Sequence, residues 1–170
     1  THGEGDWAPD TFAPEGFPDL LGKGAFWTNR IGAFLLIDTR DSIYIPTAGG
    51  YYKLEYYNVA DWLGSDYTFE YWYLDLRQFI TLRAPRKDIL ALRFQAQHAI
   101  GGPIPFYELA TAGSEYTLRG YFDGRFRDRD MISVNMELRH NLWKIIDIHF
   151  FYDIGRVYEN MFDEWRYIAN

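Results

Sequence analysis

The sequence predicts an all-β protein, and three observations carry that prediction. From residue 30 onward apolar and polar residues alternate with a period of two, no stretch keeps helical periodicity beyond about two turns, and aromatic residues are abundant, with 14 Tyr, 13 Phe and 6 Trp in 170 residues. Alternation gives each strand one apolar and one polar face. On periodicity alone two architectures fit equally: a soluble sandwich whose apolar faces share a core, and an outer-membrane barrel whose apolar faces meet lipid while the polar faces line a lumen.

In chain order, residues 1–29 carry Pro9, Pro14 and Pro18 among five glycines without a period, which predicts an irregular leader or loop. Six strands follow, near 30–38, 50–58, 67–80, 88–99, 131–140 and 145–157. In the second, Tyr52, Leu54 and Tyr56 oppose Tyr51, Lys53, Glu55 and Tyr57. In the fourth, Leu90, Leu92, Phe94 and Ala96 oppose Ala91, Arg93, Gln95 and Gln97. The fifth sets Ile132, Val134, Met136 and Leu138 against Ser133, Asn135, Glu137 and Arg139, and a short turn near His140–Trp143 leads into the sixth, where Ile146, Ile148, Phe150, Tyr152 and Ile154 oppose Asp147, His149, Phe151, Asp153 and Gly155. The chain opens Thr1-His2-Gly3 and closes Tyr167-Ile168-Ala169-Asn170 within patterned sequence, so it reads as cut at both ends.

Composition removes several functions. A formal charge of −7 argues against nucleic acid as a partner. Zero cysteines leave no disulfide framework and no thiolate metal site. No run approaches the roughly 18 apolar residues of a membrane-spanning helix, the longest being Gly32–Ile37, whereas a barrel strand needs only about 10 alternating residues. His2, His98, His140 and His149 lack metal-ligand spacing, Gly22-Lys23-Gly24 lacks a phosphate-loop framework, and the serines lack a nucleophile elbow. Ser133 and His149 share a polar face, which leaves a hydrolase on a barrel wall as a remote alternative. No catalytic residue, metal site or cofactor is expected.

One segment stands apart. Glu115–Asp130, "EYTLRGYFDGRFRDRD", interleaves arginines and acids between two apolar-patterned strands. It contains Leu118-Arg119-Gly120-Tyr121. Upstream lies "DTRDSIYIPTAGGYY" at 38–52, with Asp38, Arg40, Asp41, Pro46 and Gly49, and "GSD" at 64–66; downstream lie Glu137 in "NMELR" and Phe151-Tyr152-Asp153-Ile154-Gly155.

In this order the motifs resemble the BamA/TamA-type outer-membrane assembly and translocation barrels, the bacterial surface antigen family, over roughly residues 30–160. The resemblance implies a transmembrane antiparallel β-barrel with a long loop, near 101–130, folded into the lumen. It also implies a periplasmic turn built by Asp38, Arg40, Asp41, Pro46 and Gly49, and an arginine, Arg119, that packs against inner-wall acids. Period-two counting independently turns Glu137 and Asp153 to the polar side. An arginine in a lumen needs carboxylate partners, and its planar fork binds them in a way lysine cannot reproduce. Gly120 is expected to permit a turn and close approach to the wall, and Tyr121 to add an apolar body with a hydroxyl. The remaining charges, Asp123, Arg125, Arg127, Asp128, Arg129 and Asp130, read as solvated.

Six strands are fewer than the eight of the smallest single-chain barrels, so the chain should be the central-to-late part of a larger one in a bacterial-type outer membrane. The resemblance implies insertion of barrel proteins, or secretion, with outer-membrane lipid, unfolded client proteins, and missing strands or a partner chain as its partners. The alternatives are a two-partner secretion-type or patatin-fused transporter, a short member that completes its barrel with another chain, and, in another class, a soluble β-sandwich binding module.

Overall fold

The alternating segments assemble into one antiparallel sheet. The computed structural model describes Leu21 and residues 25–83, 88–143 and 145–162. Its long strands are β1 (Arg30–Asp38), β2 (Gly49–Val59), β3 (Phe69–Arg83), β4 (Asp88–Gly101), β7 (Asp130–Trp143) and β8 (Ile146–Tyr158), hydrogen-bonded in the order β1-β2-β3-β4-β7-β8. Two short strands, β5 (Ala110–Ala112) and β6 (Phe126–Asp128), pair with each other inside the β4–β7 connection. Three residues cannot display a period of two, which is why alternation did not find them.

The turn expected near His140–Trp143 is not there. β7 continues to Trp143, with Asn141 opposite Asp147 and Trp143 opposite Ile146. His140 and Asn141 read as turn formers, but their polar groups are satisfied across strands: His140 Nδ1 lies 2.8 Å from Asp88 Oδ1, and Asn141 Nδ2 donates to Asp147 Oδ1 at 2.6 Å. Of the leader, only Leu21 and residues 25–29 are described. Residues 25–29 have no regular structure, and the rest lies outside the described residues.

Strand register sorts the side chains into rows across the sheet. Ile37, Tyr52, Leu76, Phe94, Val134 and Ile154 form one row on the outer face. Tyr51, Arg77, Arg93, Asn135 and Asp153 form a row on the inner face. The outer face is uncovered over most of its area, with Val134 40%, Met136 44% and Phe150 62% exposed, and at one end Phe162 packs on His98 with ring centres 4.9 Å apart. No second sheet packs on it among the described residues, which removes the sandwich.

The apolar core lies on the other side. One cluster joins Val59, Phe69, Tyr71, Ala99 and Ile104, and a second joins Ala110, Ala112, Leu118 and Met131. Both form between the inner face and the β4–β7 connection, so this loop does for the wall what a second sheet does for a sandwich. The sheet stays open, with β1 and β8 at its edges. Residues 39–48 join β1 to β2 at one end of the sheet, and residues 60–68 and the much longer 102–129 connect strands at the other.

Candidate functional site

Antiparallel pairing of β7 with β8 stacks three inner-face pairs in succession: Glu137 opposite Phe151, Asn135 opposite Asp153, and Ser133 opposite Gly155. Because side chains alternate, all six project to the side that the loop covers. The loop meets this surface with Leu118 and Arg119.

Arg119 uses every face of its guanidinium. Nε donates to Asp153 Oδ2 at 2.8 Å and Nη2 to Asp153 Oδ1 at 2.7 Å, a two-bond fork, while Nη1 donates to Glu137 Oε2 at 2.6 Å. Its main-chain N–H donates to Asp153 Oδ2 at 3.1 Å, and the guanidinium carbon lies 4.1 Å from the centre of the Phe151 ring. With both carboxylates accepting from it, the guanidinium is a permanent cation. Two carboxylates and a ring face thus surround one positive charge, an arrangement that planarity and charge-assisted bonding favour.

Leu118 lies one level up, against Gly155. A methyl group added at Gly155 would sit 2.9 Å from Ile132 O, 3.1 Å from Ser133 Cβ and 3.3 Å from Leu118 Cδ2, so glycine is what lets the loop approach the wall here. At Gly120 the expected close approach is absent. An added Cβ would meet nothing within 4 Å, and the backbone is outside the left-handed region. The glycine that permits the close approach is Gly155 of the wall, in the Phe-x-Asp-x-Gly motif, rather than Gly120 of the loop. Tyr121 packs edge-on to Phe126 with ring centres 5.0 Å apart and is otherwise exposed.

Residues 38–49 form a compact turn at the opposite end of the sheet. Arg40 Nε and Nη2 donate to the two Asp38 carboxylate oxygens at 2.9 and 2.7 Å. Asp41 Oδ1 accepts from the N–H groups of Thr47 at 2.8 Å and Ala48 at 3.1 Å, and its other oxygen accepts from the Thr47 hydroxyl. These bonds, that of the Thr47 hydroxyl first, lower the Asp41 pKa from 3.8 to about 2. Gly49 has φ 88°, and a Cβ there would lie 2.1 Å from Thr39 O. Pro46 is buried, and its carbonyl accepts from Arg139 Nη1 at 3.5 Å; Arg139 Nε donates to Glu137 Oε1 at 2.7 Å. The turn and the loop therefore meet through Arg139 and Glu137.

Two other expectations change. Asp130 is not solvated: it is 1% exposed and accepts from Ala99 N at 3.1 Å and Met161 N at 2.9 Å, with His98 Nδ1 2.9 Å away. Arg127 donates to Phe106 O at 2.8 Å and Arg129 to Gly101 O at 2.8 Å, so both hold the base of the loop. Register also separates Ser133 from His149, which lie opposite Gly155 and Arg139 respectively. Three inner-face levels divide them, roughly 20 Å at the usual rise per residue, so they form no nucleophile–base pair. His149 Nδ1 instead lies 3.3 Å from Glu137 Oε1. Among the described residues no three His, Asp or Glu side chains converge as a metal site.

Sequence reasoning placed Arg93, Asn135 and Arg139 on polar faces but did not join them, or Asp75, to the loop contact. All four have inner-face parity, but only register reveals that Asn135 stands beside Asp153. Its Nδ2 donates to Asp153 Oδ1 at 2.8 Å and to the Thr117 carbonyl.

A family model described as the Omp85 superfamily domain matches residues 5–167. Among solved structures, the chain is similar to the crystal structure of BamA from Haemophilus ducreyi lacking POTRA domains 1–3, with a TM-score of 0.69 and 18% sequence identity. That match covers 82% of this chain and 31% of the BamA chain, so the sheet corresponds in fold to part of that barrel. No curated protein matches the sequence.

Proposed function

The chain belongs to the Omp85 superfamily, and from that premise we propose that it is the central-to-late wall of a larger barrel that inserts barrel proteins into, or passes polypeptides across, a bacterial-type outer membrane. The loop around Leu118–Tyr121 is then a lumen loop, and Glu137, Phe151, Asp153 and Gly155 are its inner-wall partners. Asp38, Arg40, Asp41, Pro46 and Gly49 form a periplasmic turn, in keeping with their place at the end opposite the long 102–129 connection.

The observation that carries this reading is the Arg119 arrangement on Asp153, Glu137 and Phe151. A single curved sheet has no second layer to fix its shape. A loop that returns from β4 and grips β7 and β8 supplies that layer on the lumen side and leaves the outer face free for lipid. The wall does no covalent chemistry. Its work is to keep a strand scaffold rigid while client polypeptides pair with strands supplied from outside this chain.

The test is reconstitution of the full-length protein in liposomes with an unfolded barrel client, following protease-resistant client and, separately, polypeptide that reaches the vesicle interior. Client folding that falls with Arg119→Ala supports insertion, and internalised polypeptide supports translocation. A protein that stays monodisperse in water without detergent contradicts both.

A further inference from the structure

Arg119 is not the only wall contact of the loop. We propose that Arg93 of β4 is a second, independent anchor, a positioning residue that with Gln95 holds the main-chain carbonyl of Tyr116 and so fixes the depth of the loop whatever side chain stands at 116. The inference rests on the lumen-loop reading above and goes beyond the motif residues.

The anchor starts from a carboxylate deep in the wall. Asp75 of β3 is 2% exposed and accepts from Arg77 Nη2 at 2.6 Å and from Arg93 Nε at 3.0 Å and Nη2 at 2.8 Å. Two guanidinium groups therefore share one carboxylate. The fork of Arg93 is committed to Asp75 through Nε and Nη2, which aims the remaining Nη1 into the lumen, where it donates to Tyr116 O at 2.9 Å. With its amide oriented to satisfy its neighbours, Gln95 donates to the same oxygen at 2.8 Å and accepts from Arg93 Nη2 and Tyr73 Oη, each at 2.9 Å. Both lone pairs of the Tyr116 carbonyl are then used.

The next residues are held in the same manner: Asn135 takes the Thr117 carbonyl, and Asp153 takes the Arg119 N–H at 3.1 Å. The wall thus reads main-chain atoms on both sides of Leu118, and main-chain atoms are present in any sequence. The Tyr116 side chain is itself exposed. Arg119 supplies identity, whereas Arg93 supplies register.

The experiment is hydrogen exchange on the membrane-embedded full-length protein, comparing loop peptides covering 113–121 with wall peptides from β3 and β4. The variants are Arg93→Ala, Arg119→Ala, the double mutant and Arg93→Lys. Arg77 still pairs with Asp75 when Arg93 is removed, so Arg93→Ala strands no buried charge. Each single alanine change should speed loop exchange roughly tenfold or more, the worth of a hydrogen bond from a charged donor. Independent anchors should multiply in the double mutant. Arg93→Lys should restore little, since an ammonium cannot keep the fork on Asp75 and reach Tyr116 together. Wild-type loop exchange in Arg93→Ala alongside fast exchange in Arg119→Ala overturns the second anchor and spares the lock. No change in either overturns the lumen loop itself. Equal acceleration in wall and loop peptides of Arg93→Ala assigns the residue to wall stability and overturns the positioning role.

Discussion

The two faces of the same strands obey different rules. On β7, Val134, Met136 and Leu138 point outward and have no partner except their apolar neighbours, while Ser133, Asn135 and Glu137, one residue away, sit under or against a loop. Along this stretch of β7 the outer face asks only for hydrophobicity, which many side chains meet. The inner face asks for particular atoms at particular heights, because a guanidinium largely shielded from water has to find its carboxylates. Specificity in this wall therefore lies in what faces inward.

That contrast can be broken from either side. The largest effect is expected from Arg119→Ala, which leaves Asp153 and Glu137 facing each other without their shared cation; removal of one member of a buried charge set costs about 3–5 kcal/mol. Loop protection from protease should fall, while Tyr116 remains tethered by Arg93. Next come two adjacent leucines on β1. Leu35 lies in the outer row with Leu54, whereas Leu36 lies inward beside Lys53. Leu35→Arg should lower stability by about 2–4 kcal/mol, as a charge on the lipid face does at mid-membrane, and Leu36→Arg by about 1 kcal/mol or less. Denaturant unfolding in lipid vesicles measures both, and equal losses would erase the distinction between faces.

Ser133 and Asn135 are unsuitable inner-face controls, contrary to what strand parity alone suggests. Ser133 is fully buried beneath the loop and Asn135 holds it, so an arginine at either would displace the loop.

A smaller effect separates the two glycines of the loop contact. Gly155→Ala should cost about 1–3 kcal/mol through overpacking against Ile132, Ser133 and Leu118. Gly120→Ala should fall within about 0.5 kcal/mol, as surface changes do. The ratio of their unfolding midpoints checks this. The smallest effect is the pH response of the turn. The Asp41 carboxyl is lowered from 3.8 to about 2, so its contribution is complete above the ordinary value and is lost as pH falls through about 2. Hydrogen exchange at Thr47 and Ala48 should differ between wild type and Asp41→Asn at neutral pH, and the difference should vanish at the acid end.

Of the six long strands, β1 is apolar on both faces and shows no period of two, whereas β2, β4, β7 and β8 were legible because that period over nine or more residues leaves few other readings. β5 and β6 were not, being three residues each, and neither was the end of β7, where His140 and Asn141 read as a turn but are satisfied by Asp88 and Asp147 across strands. The inward orientation of Glu137 and Asp153 followed from parity, but parity carries no register. It could not place Asn135 next to Asp153, separate Ser133 from His149, or show that Asp130 is buried among main-chain donors. Gly120 shows a further limit: a motif glycine invites an explanation by close approach, and only the space around it shows that Gly155 is where that approach occurs.

The central claim is that Arg119 is held by the inner wall through charge, and the most direct measurement exchanges the charges. Arg119→Asp alone and Asp153→Arg alone should each expose the loop to protease in the membrane-embedded protein, and the two together should recover part of the protection. If each single change exposes the loop and the double change protects no better than either, the pairing is not what holds it. If the single changes leave protection at the wild-type level, the lock does not exist.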